Sequence, residues 1–458
     1  MTTKHYNFRH EVGLRLIKLL NICLMVVPFL FVYNYYYGRI LSTPYYTKGD
    51  IVIAVIYLIL YYVFGKTYEA FLISHTKLSD IVVSQTLSTL LTNCIIYMIF
   101  FLLIKKIPNP LPLLLVWIAQ MVISLAWSAI ARVIYFKWFP AMRSIIVYDM
   151  RQGMESLVSE YGLNKKFDIV KTASVAECLD DMSMLEDMEV VFLSGVHSRD
   201  RNIILKYCLY HNKTVYMIPR VGDVIMSSAK VMHMFHLPIM RVVRYNPNPI
   251  YLVGKRLFDI VVSLIALILL SPVFLITAIC IKVTDGGPVF YKQERLTKNG
   301  KSFMIHKFRS MRVDAEKDGV ARLSTGENDD RITPVGRFIR KCRIDELPQM
   351  IDILSGNLSV VGPRPERPEI AEEYMKEMPE FQLRLQCKAG LTGLAQVYGK
   401  YNTTPYDKLQ MDLLYIAHPS LIEDLRICFA TIKILFMPES TEGIAEGQTT
   451  AMTDTTDD

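Results

Sequence analysis

The sequence predicts a membrane protein in three parts. These are an N-terminal four-helix transmembrane bundle (1–140), a small parallel α/β domain (141–245) and a C-terminal domain (250–436) built around a membrane-entering hairpin at 257–283. Three observations predict this. The first third holds four apolar runs, each near the ~20 residues that a spanning helix needs. Short strand-like segments then alternate with helical ones. A fifth apolar stretch is interrupted at Ser271-Pro272 and carries basic residues on both sides.

The four runs are 14–37, 51–64, 81–104 and 111–136, the second being cut short by Lys66 and Glu69. The first is long, Tyr-rich (Tyr33, Tyr35, Tyr36, Tyr37) and lacks a small-residue cleavage site, so it reads as a retained anchor rather than a signal peptide. A hydrophobic content of 52% and a positive mean hydropathy agree with a membrane protein. Lys4, Arg9, Arg15 and Lys18 lie at the start of the first run and Arg132, Lys137 and Arg143 at the end of the fourth, against two basic residues in each outer loop. That bias puts both ends of the bundle in the cytosol. It also accounts for much of the net charge of +7, which would otherwise suit nucleic acid, anionic lipid or a phosphorylated substrate. No nucleic-acid partner is expected. Eight scattered cysteines without a CxxC pair argue against a zinc site or a disulfide scaffold.

Beyond the bundle, RSIIVYDM (143–150), FDIVKTA (167–173), EVVFLSGV (189–196) and KTVYMIP (213–219) read as buried strands, separated by helical MESLVSEYG and RNIILKYCLYH. Such alternation predicts a parallel sheet. The first strand-to-helix turn, YDMRQG (148–153), lacks the glycines a dinucleotide site needs for close pyrophosphate approach, so a structural role is expected. Tyr161 and Lys165 match a short-chain dehydrogenase spacing that chance readily supplies. His233 and His236 are expected on one helix face, where without Cys or carboxylate partners they are surface or core residues, not metal ligands. Asn246-Pro-Asn-Pro249 reads as a linker.

As one straight helix, 257–283 would reach about 40 Å and could span a bilayer. Its flanks argue otherwise: Lys255 and Arg256 precede it, and Lys282, Lys292, Arg295, Lys298 and Lys301 follow. A bias toward cytosolic cations cannot be met with one flank outside. Pro272 removes a backbone donor and strikes the carbonyl of Ile268, while Ser271 can bond the carbonyl so freed. A re-entrant helix, break, helix is the expectation. At the other end, the apolar but charged stretch 420–436 is expected to lie in the membrane surface, and 437–458 to be a disordered acidic tail.

The densest polar stretch is RFIRKCRIDELPQMIDILSGNLSVVGPRPERPE, 337–369. Asp345 and Glu346 are adjacent carboxylates, and Pro348 marks a first helical turn. Arg337, Arg340, Lys341 and Arg343 stand upstream and Arg364 lies within Pro-Arg-Pro. Such a ring of cations suits a polyphosphate, with a carboxylate left as nucleophile or metal ligand. The blander reading of the same residues is a solvated, charged helix start. Glu327-Asn-Asp329-Asp330 could be argued as a metal motif like that of classical glycosyltransferases, a weaker match.

These segments carry a family resemblance. KRLFD (255–259), the Ser271-Pro272 break, GPVFYKQER (287–295), KFRSM (307–311), DRITPVGRFIRKCRIDELPQ (330–349), LSVVGPRP (358–365), GLTGLAQVYG (390–399), and later Asp412-Leu-Leu-Tyr415 and Asp424-Leu-Arg-Ile427 resemble the polyprenyl-phosphate hexose-1-phosphate transferases. These are also called bacterial sugar transferases or monotopic phosphoglycosyl transferases. The resemblance is specific over about 250–436. The bundle and degenerate Rossmann-like domain are similar to the long members in architecture only.

The resemblance implies a mainly α catalytic domain with a re-entrant helix and interfacial helices, on the cytosolic face of a bacterial inner membrane. It implies transfer of a sugar-1-phosphate from a UDP-sugar to undecaprenyl phosphate with release of UMP, in exopolysaccharide, capsule or O-antigen synthesis. Asp345 would be the nucleophile, giving a phosphoryl-aspartate, and Glu346 would handle metal or proton. Mg²⁺ would sit near Asp345 or Glu346. Arg340 and Arg364 would clamp phosphate, with Lys307 and Arg309 next and Arg295 and Arg337 as further substrate-binding residues. Membrane lipids are partners, and a homodimer is left open. Thr297 stands where the family has Gly, and Lys388-Ala389 where it commonly has Arg-Pro. A membrane-bound nucleotide-sugar dehydratase would need an intact glycine turn and a second NAD fold, neither of which is visible. A non-catalytic scaffold would tolerate loss of Asp345 or Arg364, and both are present.

Overall fold

The computed structural model describes residues 3–41, 48–151, 153–312, 331–399 and 403–434. Glu327-Asn-Asp329-Asp330 and the stretch 437–458 lie outside these residues. The chain forms two compact units, Met1–Ile218 and Pro219–Asp458.

The first unit begins with helices α1 (Thr3–Val32, continuing through a π-helical turn at Tyr33–Tyr37 to Ile40), α2 (Lys48–Thr67), α3 (Leu78–Ile104) and α4 (Leu111–Trp138). All four are long and apolar enough to cross a membrane. Their outward faces are Leu, Ile, Val and Phe, as at Leu16, Phe31, Ile59, Leu102 and Val133. Polar groups turn inward, where a lipid environment leaves them only each other. Gln120 Nε2 donates to Tyr57 Oη (2.6 Å) and to the Met25 carbonyl (2.7 Å), and its Oε1 accepts from Asn93 Nδ2 (3.0 Å). Tyr61 Oη donates to Asn21 Oδ1 (2.7 Å), and Ser124 Oγ to Gln85 Oε1 (2.8 Å). All four helices are tied by these bonds.

The α/β domain of this unit has strands β1 (Met142–Tyr148), β2 (Phe167–Ser174), β3 (Val190–Ser194) and β4 (Thr214–Met217), all parallel in the order β2-β1-β3-β4. Helices α5 (Met154–Glu160), α6 (Val175–Asp180) and α7 (Ser198–Tyr210) complete the crossovers. Ile145, Val147, Val191, Leu193 and Ile204 form one core, which is why β1 and β3 read as continuous apolar runs. Lys166 reaches back to the His75 ring in the α2–α3 loop.

This unit ends at Ile218, short of the linker at 246–249. Helix α8 (Val221–Ser227) belongs to the second unit, where Val221 and Val224 share a core with Leu409 and Leu413. The stretch that follows is no helix. Residues 230–241 form a hairpin, β5 (Lys230–Met234) and β6 (Leu237–Arg241), turned by Phe235 and His236, both at positive φ (55° and 63°). His233 and His236 therefore share no helix face.

Two apolar helices follow, α9 (Pro249–Leu269) and α10 (Ser271–Asp285), bent by 61° at the break. Ser271 Oγ donates to the Ile268 carbonyl (2.8 Å), the group that Pro272 leaves without its usual donor. Both ends of the pair are held by the second unit. Lys255, Arg256 and Asp259 bond to it near the start, and Ile281 packs with Phe308 and Ile339 near the end. Only the ten residues after Asp259 remain on α9, about 15 Å of helix, half the ~30 Å hydrocarbon core.

The rest of the unit is a hairpin, β7 (Phe290–Leu296) and β8 (Ser302–Phe308), then helices α11 (Pro334–Lys341), α12 (Gln349–Ser355), α13 (Pro368–Glu377), α14 (Leu394–Tyr398), α15 (Pro405–Ala417) and α16 (Leu421–Ile434). A short parallel pair, β9 (Ser359–Val361) and β10 (Gly390–Thr392), lies among the helices. Helix α16 differs from expectation on one point. Asp424 is wholly buried rather than solvated, because Lys255 Nζ (3.0 Å), Tyr415 Oη (2.7 Å) and Tyr251 Oη (3.1 Å) all bond it, while Leu421, Ile422 and Leu425 stay exposed.

With both ends of the bent pair anchored in one unit, single cysteines placed at Pro249 and Gly286 should label from the same side of the membrane in intact cells. Labelling of one from outside and the other from inside would identify a kinked span.

Candidate active site

Four local devices bring the polar residues together. Thr333 caps α11, its Oγ1 accepting from Gly336 N (2.9 Å). Arg343 ends that helix in the left-handed region (φ 53°, ψ 23°) and swings the chain into a 3₁₀ turn, Ile344–Glu346. Asp352 of α12 accepts from the His306 backbone N–H (2.8 Å) and meets His306 Nδ1 (2.7 Å), which fastens β8 and its Lys307 beside that turn. Finally β9 and β10 approach so closely that a Cβ on Gly390 would lie 2.1 Å from Gly362 N, which explains Gly at both positions and delivers the following Pro-Arg-Pro.

At the centre, Glu346 Oε1 accepts from Lys307 Nζ (2.9 Å) and Arg364 Nη2 (3.2 Å), and its Oε2 is 3.9 Å from Arg343 Nη1. Burial alone would raise this carboxyl. The charges of Lys307, Arg364 and Arg343, with the Lys307 hydrogen bond, hold it well below the ordinary carboxylate range. The neighbouring acid goes the other way. Asp345 makes no hydrogen bond or ion pair among the described residues, and burial, then the Glu346 charge, push it up against Lys307, Arg340 and Arg364. Two adjacent carboxyls thus take opposite states: one neutralised by cations, one open.

Arg364 keeps 42% of its side chain exposed, enough to meet a ligand as well as Glu346. Arg340 is committed to Ser310 Oγ through Nε (2.8 Å) while its charge acts on Asp345. Arg295 supports the Pro-Arg-Pro loop from behind, donating to the Pro365 carbonyl (3.0 Å) and Gln293 Oε1 (2.7 Å). Arg309 is buried against Gly287, and Arg337 is exposed on α11. Of the expected substrate-binding residues, then, Lys307, Arg340 and Arg364 gather at the two acids, Arg295 lies behind them, and Arg337 faces outward.

Sequence reasoning missed the supports. Arg384 donates to the Arg364 carbonyl (2.9 Å) and pairs with Asp412 (2.7 Å) and Glu366 (3.5 Å). Asp412 and Glu366 belong to segments already quoted, but Arg384 carries no local signal. The two departures from the family pattern meet each other: Thr297 Oγ1 accepts from the Ala389 N–H (3.2 Å) and donates to the Asn357 carbonyl (3.0 Å). A proline at 389 would have no N–H to satisfy, and a glycine at 297 no hydroxyl to accept it.

Among the described residues no cluster of three or more His, Cys, Asp or Glu is assembled. Mg²⁺ needs none, since it is commonly held by one or two carboxylates plus substrate phosphates. The open Asp345 beside Glu346 fits that requirement.

A bent apolar pair bearing a domain with paired acids among cations defines a membrane-associated protein suited to handling phosphate groups. Residues 250–438 match the model of the bacterial sugar transferase family. The chain is 41% identical over 190 residues to the exopolysaccharide production protein PSS of Rhizobium leguminosarum bv. phaseoli, covering 40% of this chain and 94% of that one. It is 38% identical over 224 residues to the UDP-glucose:undecaprenyl-phosphate glucose-1-phosphate transferase of Klebsiella pneumoniae, covering 48% of each. Against the UDP-N-acetylgalactosamine-undecaprenyl-phosphate N-acetylgalactosaminephosphotransferase of Aeromonas hydrophila it is 36% identical over 234 residues, 50% of this chain and 54% of that one. The chain thus spans about half the length of the latter two relatives. It belongs to the bacterial sugar transferase family.

Because Asp345 is raised above the ordinary carboxylate value of about 3.9, any activity needing its anion is lost as pH falls through that raised value. Glu346→Gln removes a negative neighbour and should move the acid limb of the kcat/KM profile to lower pH. An unshifted limb would show that Glu346 does not set the charge state of Asp345.

Proposed function

We propose that this chain transfers a sugar-1-phosphate from a UDP-sugar to undecaprenyl phosphate, with Asp345 as the nucleophile of a two-step reaction. One observation carries the reading: of two adjacent acids, Glu346 is engaged by Lys307 and Arg364, and Asp345 is left open. In the first step an Asp345 carboxylate oxygen attacks the β-phosphorus. The bond from that phosphorus to the bridging oxygen breaks, and UMP leaves with the oxygen. Asp345 then carries the sugar phosphate as an acyl phosphate. In the second step a phosphate oxygen of undecaprenyl phosphate attacks the same phosphorus, and the Asp345 carboxylate leaves. Splitting the transfer in two means that the two anionic substrates need not meet at one time.

Arg364 and Lys307 hold the diphosphate as it displaces them in part from Glu346, and Arg340 adds positive charge beside Asp345. Asp345 and Glu346 would hold Mg²⁺ together with the substrate phosphates, and the ion supplies further neutralisation of the leaving phosphate. The site faces the cytosol of a bacterial inner membrane, with the bent pair re-entrant from that side. The charge bias and the anchored ends of the pair support this. The name of the Rhizobium leguminosarum relative favours a place in exopolysaccharide synthesis.

The test uses the purified protein, Mg²⁺ and a panel of tritium-labelled UDP-hexoses and UDP-N-acetylhexosamines. Without lipid acceptor, one of them should leave label on the protein with release of UMP. Asp345→Asn keeps size and turn geometry, should retain no label, and should lower turnover by several orders of magnitude. A labelled Asp345→Asn protein would rule out this nucleophile.

A further inference from the structure

The KRLFD segment (255–259), in the first turns of α9, has no place in the chemistry above. Its three charged side chains nonetheless take hold of four separate elements of the same unit. Lys255 Nζ donates to Asp424 Oδ2 (3.0 Å) and Tyr415 Oη (2.9 Å), binding α9 to α16 and α15. The Arg256 guanidinium donates from its two terminal nitrogens to the Ile353 and Leu354 carbonyls (2.7 and 2.8 Å), at the C-terminal end of α12. One oxygen of Asp259, Oδ1, accepts from Ser359 Oγ (3.0 Å) and the Val360 N–H (2.9 Å), both on β9.

The elements held by Arg256 and Asp259 are the ones that carry the site. Helix α12 starts three residues after Glu346 and is two turns, about 10 Å, long, so fixing its end fixes the turn bearing Asp345 and Glu346. Strand β9 ends three residues before Arg364. The contact between Glu346 and Arg364 therefore joins the far ends of two short, stiff levers whose near ends rest on adjacent turns of one membrane helix. The Arg256 fork ties down two carbonyls in the last turn of α12, of which the Ile353 carbonyl also accepts from the Gly356 N–H, so its loss would free the lever rather than merely expose a charge.

We propose that Arg256 and Asp259 are positioning residues that set the placement of the Asp345–Glu346 turn against Arg364, so that the active geometry is referenced to the cytosolic base of the membrane helix. Neither residue touches the acids or Arg364. They act through Ile353, Leu354, Ser359 and Val360. The inference rests on the proposed function for its readout but not for its geometry.

The test compares full-length Arg256→Gln and Asp259→Leu, the latter leaving no acceptor for Ser359 and Val360, with wild type in lipid nanodiscs. Two measurements are made: single-turnover capture of labelled sugar phosphate without acceptor, read as rate and as final amplitude, and steady-state UMP release with both substrates, read as kcat and KM. Misplacing reacting groups by about 1 Å costs up to roughly a hundredfold in rate. Both variants should capture about ten- to a hundredfold more slowly, with amplitude and KM for the UDP-sugar within about twofold of wild type. Loss of amplitude at unchanged rate would mean that these residues only keep the protein folded, and would overturn the inference, as would unchanged rates in both. Should Arg256→Gln fail to fold, the near-isosteric Asp259→Leu decides. If even wild type captures no label, the covalent mechanism fails, and the kcat of the variants at constant KM still decides the positioning role.

Discussion

The Glu346 carboxylate is the fixed point of the catalytic unit. It is largely buried, and such an anion persists only where cations and hydrogen bonds replace the water it lost. Lys307 comes from β8, Arg364 from the loop after β9, and Arg343 from the turn itself. Meeting the needs of one side chain thus forces three segments to converge. A second tier meets the needs of the first. Arg384 holds the Arg364 backbone and is itself neutralised by Asp412 and Glu366. Removing one partner from a buried pair costs about 3–5 kcal/mol, because the other is left stranded. Such tiers specify geometry more than they add stability.

Legibility in the sequence followed the range of the interactions. The four spans, the parallel strands and the Ser271-Pro272 break are written in local periodicity, and even the bond from Ser271 to the Ile268 carbonyl follows from a proline four residues on. The paired acids and Arg364 stood out because adjacent carboxylates and a Pro-Arg-Pro are locally unusual. The arginines between them were harder to sort. Helix α11 buries Gly336 and Ile339, which turns Arg337 outward, and Arg343 leaves the helical phase altogether by adopting positive φ without being glycine. No residue-type signal announces that conformation, nor the hairpin turn at Phe235-His236, which lacks the Asn-Gly that usually marks one. Asp424 shows a related limit. An acid in an apolar helix reads as solvated until its partner is known, and Lys255 lies 169 residues away.

Thr297 and Ala389 show how a departure from a family pattern can be conservative in physical terms. Taken singly, each substitution creates a polar group in a buried place. Taken together, the new hydroxyl accepts from the new amide and passes its own proton to Asn357, so the account of donors and acceptors closes. The loop behind Arg364 is thereby held by a bond that a glycine at 297 or a proline at 389 could not make.

The amide and hydroxyl network inside the bundle has a further consequence. Gln120, Asn93, Tyr57, Asn21, Tyr61, Gln85 and Ser124 are all uncharged groups, hydrogen-bonded to one another and to backbone carbonyls. An electric field across a membrane does work of about 2.3 kcal/mol per elementary charge per 100 mV, but only on charge that moves. A core held together by neutral dipoles has no such charge to move. The interior contacts of the bundle should therefore be insensitive to a voltage across whatever membrane holds it.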